Sequence, residues 1–104
     1  DTAFGSMFSD LGDKYGPFDL TMIPIGAYEP RTMMQASHCT PEEAVQITKM
    51  LKSKKIVGMH WGTIRLSAED TWEPPSKFVN AAKQYGYNQD DIWKMAIGET
   101  RSLI

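Results

Sequence analysis

The sequence predicts an α/β fold, and three observations carry that expectation. Helical and strand-like patterns alternate along the chain in the order helix, strand, loop, helix, strand, loop, helix, strand. Residues 19–23 and 55–59 are nearly continuous in apolar or β-forming character, as buried strands are. Between them stands Thr40-Pro41-Glu42-Glu43, a capping box with proline at the first helical position, which marks the start of a helix.

Residues 1–6 are small and polar around Phe4 and read as a loop. Met7, Phe8 and Leu11 have helical spacing, and Gly16-Pro17 ends that run. Residues 19–23 then predict a strand covered on both faces, stopped at Pro24, which has no N–H for a ladder. Residues 26–37 show no period and predict a loop long enough to be suspected of function. From Thr40, the residues Ala44, Ile47, Thr48 and Leu51 share one helical face. The glutamates at its start and the lysines after it suit the helix dipole. Residues 55–59 predict a second strand ending at His60. After a loop over 61–74, Phe78, Ala81, Ala82 and Tyr85 mark another helical face, stopped by Gly86. Residues 91–100 alternate in the manner of a last strand.

With 104 residues, the chain holds at most one domain, and its 41% hydrophobic and 23% charged composition excludes disorder. A net charge of −2 provides no electrostatic footprint for nucleic acid. The single cysteine, Cys39, excludes an internal disulfide. No apolar stretch approaches the roughly 20 residues of a membrane-spanning helix. The first residue is Asp, so the expectation is a processed, trimmed or partial chain.

His38 and His60 are the two histidines. His60 lies at the carboxyl end of a strand, where the crevice of an α/β sheet forms, and can serve as general base, metal ligand or structural strut. His38 lies just outside the helix cap and by position alone reads as a surface residue. Cys39 reads as a small, partly buried thiol, because neighbouring residues rarely face each other as nucleophile and base. The aspartates at 10, 13, 19, 70, 90 and 91 read as caps, turns and surface.

Three stretches together resemble one family: 19–31 (Asp-Leu-Thr-Met-Ile-Pro-Ile-Gly-Ala-Tyr-Glu-Pro-Arg), 38–45 (His-Cys-Thr-Pro-Glu-Glu-Ala-Val) and 58–63 (Gly-Met-His-Trp-Gly-Thr). In order and spacing they are similar to the C-terminal half of the N-acyl-phosphatidylethanolamine-hydrolysing phospholipase D family. Asp1-Thr2 and Glu73-Pro74-Pro75 match further family segments. The resemblance covers the chain to about Pro75 and implies residues 1–104 as a partial, C-terminal-half domain of a four-layer αββα metallo-β-lactamase sandwich. It implies two zinc ions, with Asp1 as the bridging carboxylate, His60 as a ligand and His38 lining the active site. The implied activity is hydrolysis of a phosphodiester in a phospholipid by a metal-bound hydroxide. In that family the N-terminal half carries the other zinc ligands, so the resemblance implies that the present residues alone are inactive. Membrane contact would be peripheral, in a cytoplasmic or membrane-surface setting. Thr32 stands where the family has an aromatic residue, and Cys39 and Ile64 also depart from it. Two other readings remain: a non-catalytic interaction fragment, and a metal-dependent lactone or ester hydrolase of the same fold.

Overall fold

A computed structural model describes residues 1–104. Its elements run α1 (Met7–Tyr15), β1 (Leu20–Pro24), α2 (Arg31–Met34), α3 (Pro41–Met50), β2 (Lys55–Met59), α4 (Glu73–Gln84), a 3₁₀ turn (Gln89–Asp91) and β3 (Ile92–Trp93). The three strands form one sheet in the order β1-β2-β3, with both pairings parallel. The mixed α/β class therefore stands.

Parallel neighbours need a crossover, and α3 and α4 supply the two crossovers. Ile23, Ile56 and Ile92 point from the three strands into a core completed by Ala44, Val45 and Ile47 of α3 and Phe78, Ala81 and Ala82 of α4. Gly58 leaves room for this packing, because a Cβ there would stand 2.7 Å from Ile25 Cδ1 and 3.2 Å from the Phe78 ring. α1 packs on α3, where Gly12 sits against the backbone of Met50 and leaves no space for any side chain. The α3 cap forms as its sequence directs. The Glu43 amide donates to Thr40 Oγ1 at 3.1 Å, and the Thr40 amide donates to Glu43 Oε2 at 3.2 Å.

Two expectations need correction. β1 is not covered throughout on both faces: Ile23 and Pro24 are buried, whereas Met22 is 65% exposed and Met59, the register partner of Pro24, is 42% exposed. Apolar continuity records hydrophobic residues but not whether a layer is present to cover them. The predicted last strand over 91–100 shrinks to Ile92–Trp93, which pair with Ile56 and Val57. Beyond it, the chain turns out of the sheet through Gly98 at φ +82°, with the Glu99 amide donating to the Ala96 carbonyl at 3.0 Å. Ile97, part of the apparent alternation, is 96% exposed. The loop over 26–37 contains the single-turn helix α2, and α4 begins at Glu73, ahead of both prolines.

Phe78 joins α4 to β2 and is fully buried. Phe78→Ala is expected to destabilise the fold by about 3–5 kcal/mol, through lost burial and the cavity left behind. Chemical denaturation followed by circular dichroism checks this, and a loss below about 1 kcal/mol would contradict the assigned core.

Candidate metal centre

The site forms where β1 and β2 end side by side. The ladder extends past Pro24 because the Ile25 amide donates to the Met59 carbonyl at 3.0 Å. His60 follows with φ +61°, in the left-handed region, and this turns its side chain out of the strand's alternation. Its carbonyl lies directly against Gly26, and any Cβ at position 26 would overlap that oxygen. Glycine at 26 is thus what allows the loop after β1 to touch the end of β2.

That loop brings the second histidine. Ala27 has φ +65°, and the amides of Ala27, Tyr28 and Glu29 all donate to the Glu69 carboxylate, at 3.0, 3.0 and 2.9 Å. The Arg31 guanidinium donates to the carbonyls of Tyr28 and His38 and pairs with Glu43 at 3.0 Å. The His38 amide itself donates to the Met34 carbonyl at 2.8 Å. His38 is therefore held from three sides, by the end of α2, by Arg31 and by the cap of α3 that follows it.

The outcome is one cluster. The imidazoles of His38 and His60 stack with centroids 5.6 Å apart and planes 18° from parallel. His60 Nε2 lies 3.1 Å from Asp1 Oδ1. Asp1, His38 and His60 can each direct one ligand atom into a space where all three atoms lie within 4.8 Å of one another. Residues 1, 38 and 60, far apart in sequence, thus come together, and His38 is part of the site rather than a surface residue beside a cap.

The donor set fits a divalent metal ion. The buried Nδ1 atoms of both His38 and His60 lack any hydrogen-bond partner. Buried imidazole nitrogens ordinarily find one, so both rings have a nitrogen open to a further partner, and the Asp1 carboxylate 3.1 Å from His60 Nε2 supplies the anion that a cation there would need. Burial, and then the charge that His60 can carry, lower the pKa of His38 against a weaker opposing pull from Glu69. A neutral imidazole is the form that ligates first-row metals. Cys39 is no part of this chemistry. Its thiol is buried, donates to the Pro24 carbonyl at 3.3 Å, and is pushed up to about 11, chiefly by burial.

Beside the cluster opens a cleft of about 670 Å³, lined by Met59, His60, Trp61, Trp72, Met95 and Ile97 among others. Trp61 and Trp72 meet edge to face at 5.9 Å. Met33 and Met34, the methionine pair of the 26–37 loop, do not line it. Neither Glu69 nor the tryptophan pair stands out in the sequence. Glu69 lies 40–42 residues from the amides it binds, and no local pattern announces such a contact.

The end of β2 and the loop ahead of α3 thus bring two histidines and a carboxylate together at one edge of a parallel α/β layer, a donor set suited to a metal ion. The family model described as the beta-lactamase superfamily domain matches residues 1–61, and the chain belongs to that family. It is a metallo-β-lactamase-fold chain resembling N-acyl-phosphatidylethanolamine-hydrolysing phospholipase D. It is 43% identical over 76 residues to the N-acyl-phosphatidylethanolamine-hydrolyzing phospholipase D 1 of Caenorhabditis elegans, covering 72% of this chain and 21% of that protein. A metal-dependent hydrolase of Thermococcus onnurineus is 38% identical over 55 residues, covering 51% of this chain and 20% of its own length. The chain thus spans about a fifth of the length of each of these two relatives. The solved structure of Igni18, a metallo hydrolase from Ignicoccus hospitalis, superposes with a TM-score of 0.68 at 24% identity, over 95% of this chain and 36% of that one. That likeness shows the fold.

The His38 environment leads to a pH prediction. A histidine whose folded pKa is lowered binds its proton more readily in the unfolded chain. Its contribution is present above the unfolded value of about 6.5 and is lost as pH falls below it. Thermal melts between pH 7.5 and 5 should show stability falling less steeply in His38→Gln than in the wild type. Equal slopes would contradict the assigned environment.

Proposed function

We propose that this chain is part of a zinc-dependent phosphodiesterase of the phospholipase D type, acting on N-acyl-phosphatidylethanolamine-like lipids. The observation that carries this reading is the Asp1–His38–His60 cluster, with its two orphaned imidazole nitrogens, opening beside an apolar cleft. The relatives named as phospholipases D and metal-dependent hydrolases support it. Asp1 and His60 would hold the metal, and the two oxygens of an aspartate suit it to a bridging position between two ions. Bound zinc supplies an activated water and Lewis-acid stabilisation of the phosphate oxygens.

The chain's own residues would prepare that chemistry. His38, held neutral by burial, faces the same space and can accept or return a proton, or donate a hydrogen bond to a phosphate oxygen, through its free ring nitrogen. Met59, Trp61, Trp72 and Ile97 offer a dry wall to an acyl chain. Lys94, at the same cleft, offers one cation to a headgroup phosphate. We assign residues 1–104 to part of a larger domain, whose remaining half would bring further ligands and cover the exposed Met22–Met59 face. By themselves the present residues offer too few donors for two four-coordinate ions, so they are expected to be inactive. No helix is long and apolar enough to cross a membrane, and lipid would be met from the surface. A net charge of −2 favours no nucleic-acid partner.

In the full-length protein, His60→Ala is expected to reduce both bound zinc and phospholipid turnover. The loss should exceed the roughly 10–100-fold that changes to residues behind metal ligands cause. Metal analysis together with choline- or ethanolamine-phosphodiester and lactone assays provides the test. Retained zinc and activity would overturn the ligand assignment, and turnover of lactones alone would move the protein to an ester hydrolase of the same fold.

A further inference from the structure

We propose that Glu69 is a positioning residue for the His60 imidazole. It acts by holding the backbone of residues 27–29 so that Gly26 stays pressed against the His60 carbonyl. The inference rests on the reading of His60 as a metal ligand.

The geometry is specific. Three successive amides, of Ala27, Tyr28 and Glu29, converge on one carboxylate. Oε1 accepts from Tyr28 and Glu29, and Oε2 accepts from Ala27 and from the Ser67 hydroxyl. The Ala68 amide returns a bond to the Glu29 carbonyl at 3.0 Å, so the two loops are joined in both directions. Glu69 belongs to the loop that follows His60 directly, and both line one small cavity together with Gly26 and Ala27. The His60 backbone is therefore caught between the Gly26 contact and a loop whose far end is tied back to that same contact. Burial pushes the Glu69 carboxyl up, but bonds from Ser67 and from the amides of Glu29 and Ala27 outweigh it and hold it below its ordinary value. The group is ionised and acceptor-only at neutral pH, as three converging N–H groups require.

A second tie reinforces the loop. The buried Tyr28 hydroxyl donates to Glu73 Oε1 at 2.5 Å, and Lys77 binds the same carboxylate at 2.9 Å. Burial and the neighbouring Glu73 push the Tyr28 phenol far above its usual range, so it remains a donor. Glu69 is the element of this network that touches the amides next to Gly26.

The test uses Glu69→Gln in the full-length protein. Glutamine can place its oxygen on Tyr28 and Glu29, but its NH₂ then faces the Ala27 N–H, donor against donor. The metal-free His60 imidazole signal, assigned by its loss in His60→Gln, should move, and zinc affinity measured by chelator competition should fall about 10–100-fold, the range typical of groups that orient a ligand. Asp91→Asn serves as the control. It removes the 2.6 Å pair with Lys55 at the opposite end of β2 and should lower the melting temperature while leaving both readouts alone. A Glu69→Gln protein with lowered melting temperature but wild-type His60 signal and zinc affinity overturns the proposal, as does an Asp91→Asn variant that moves both equally. Should Glu69→Gln fail to fold, Ser67→Ala removes only the hydroxyl on the carboxylate. It should shift the His60 signal in the same direction by less, and an unmoved signal overturns the proposal. If zinc leaves the wild-type His60 signal unchanged, the metal reading fails, while the metal-free shift still decides the role of Glu69.

Discussion

The contact between Gly26 and the His60 carbonyl is the constraint on which the rest of the site depends. Parallel strands deliver their carboxyl ends to one edge, but side by side they would not bring two histidines together. The loop after β1 has to cross the end of β2 at backbone distance, and position 26 can do this only without a side chain. Once it crosses, Ala27 and His60 both take left-handed backbone angles. For residues other than glycine such angles are uncommon and cost of order 1–3 kcal/mol each. The compensation is visible: three amides on Glu69, and two carbonyls on Arg31.

Arg31 shows how one side chain can tie fold and site together. Glu43 closes the cap of α3 by accepting from the Thr40 amide, and the same carboxylate pairs with Arg31 in two contacts, at 3.0 and 3.2 Å. Both partners are only about a quarter exposed, so this pair is less screened than the surface bridges Lys54–Asp19 and Lys52–Asp13. Its value lies less in stability than in direction. The guanidinium also reaches the His38 carbonyl and thereby fixes the residue just before the cap relative to the loop that touches β2.

The parts legible in the sequence were those written locally. The capping box, the proline at the first turn of α3 and the β2 run at 55–59 all lie where their local pattern places them, because caps and short apolar runs are decided by neighbours within one turn or one strand. Position at a strand end marked His60, but only the resemblance joined His38 and Asp1 to it. The misreadings share a cause. Exposure of Met22 and departure of residues 94–100 from the sheet depend on what lies across a layer, which alternation cannot report. Glu69 was invisible for the same reason, since backbone amides 40 residues away leave no trace in side-chain pattern.

The electrostatics of the cluster point in one direction. At His38, burial and then the His60 ring stacked 5.6 Å away disfavour the protonated form. If protons were the intended occupants, each buried Nδ1 would carry one toward an acceptor, yet neither has an acceptor within reach. Asp1, meanwhile, directs a carboxylate oxygen at His60 rather than toward a lysine or arginine. A site that disfavours a protonated His38, leaves ring lone pairs unpartnered and adds an anion beside His60 suits a divalent metal ion. That arrangement also explains the number of clamps behind it, because a metal ion tolerates displacement of its ligands far less than a solvated proton does.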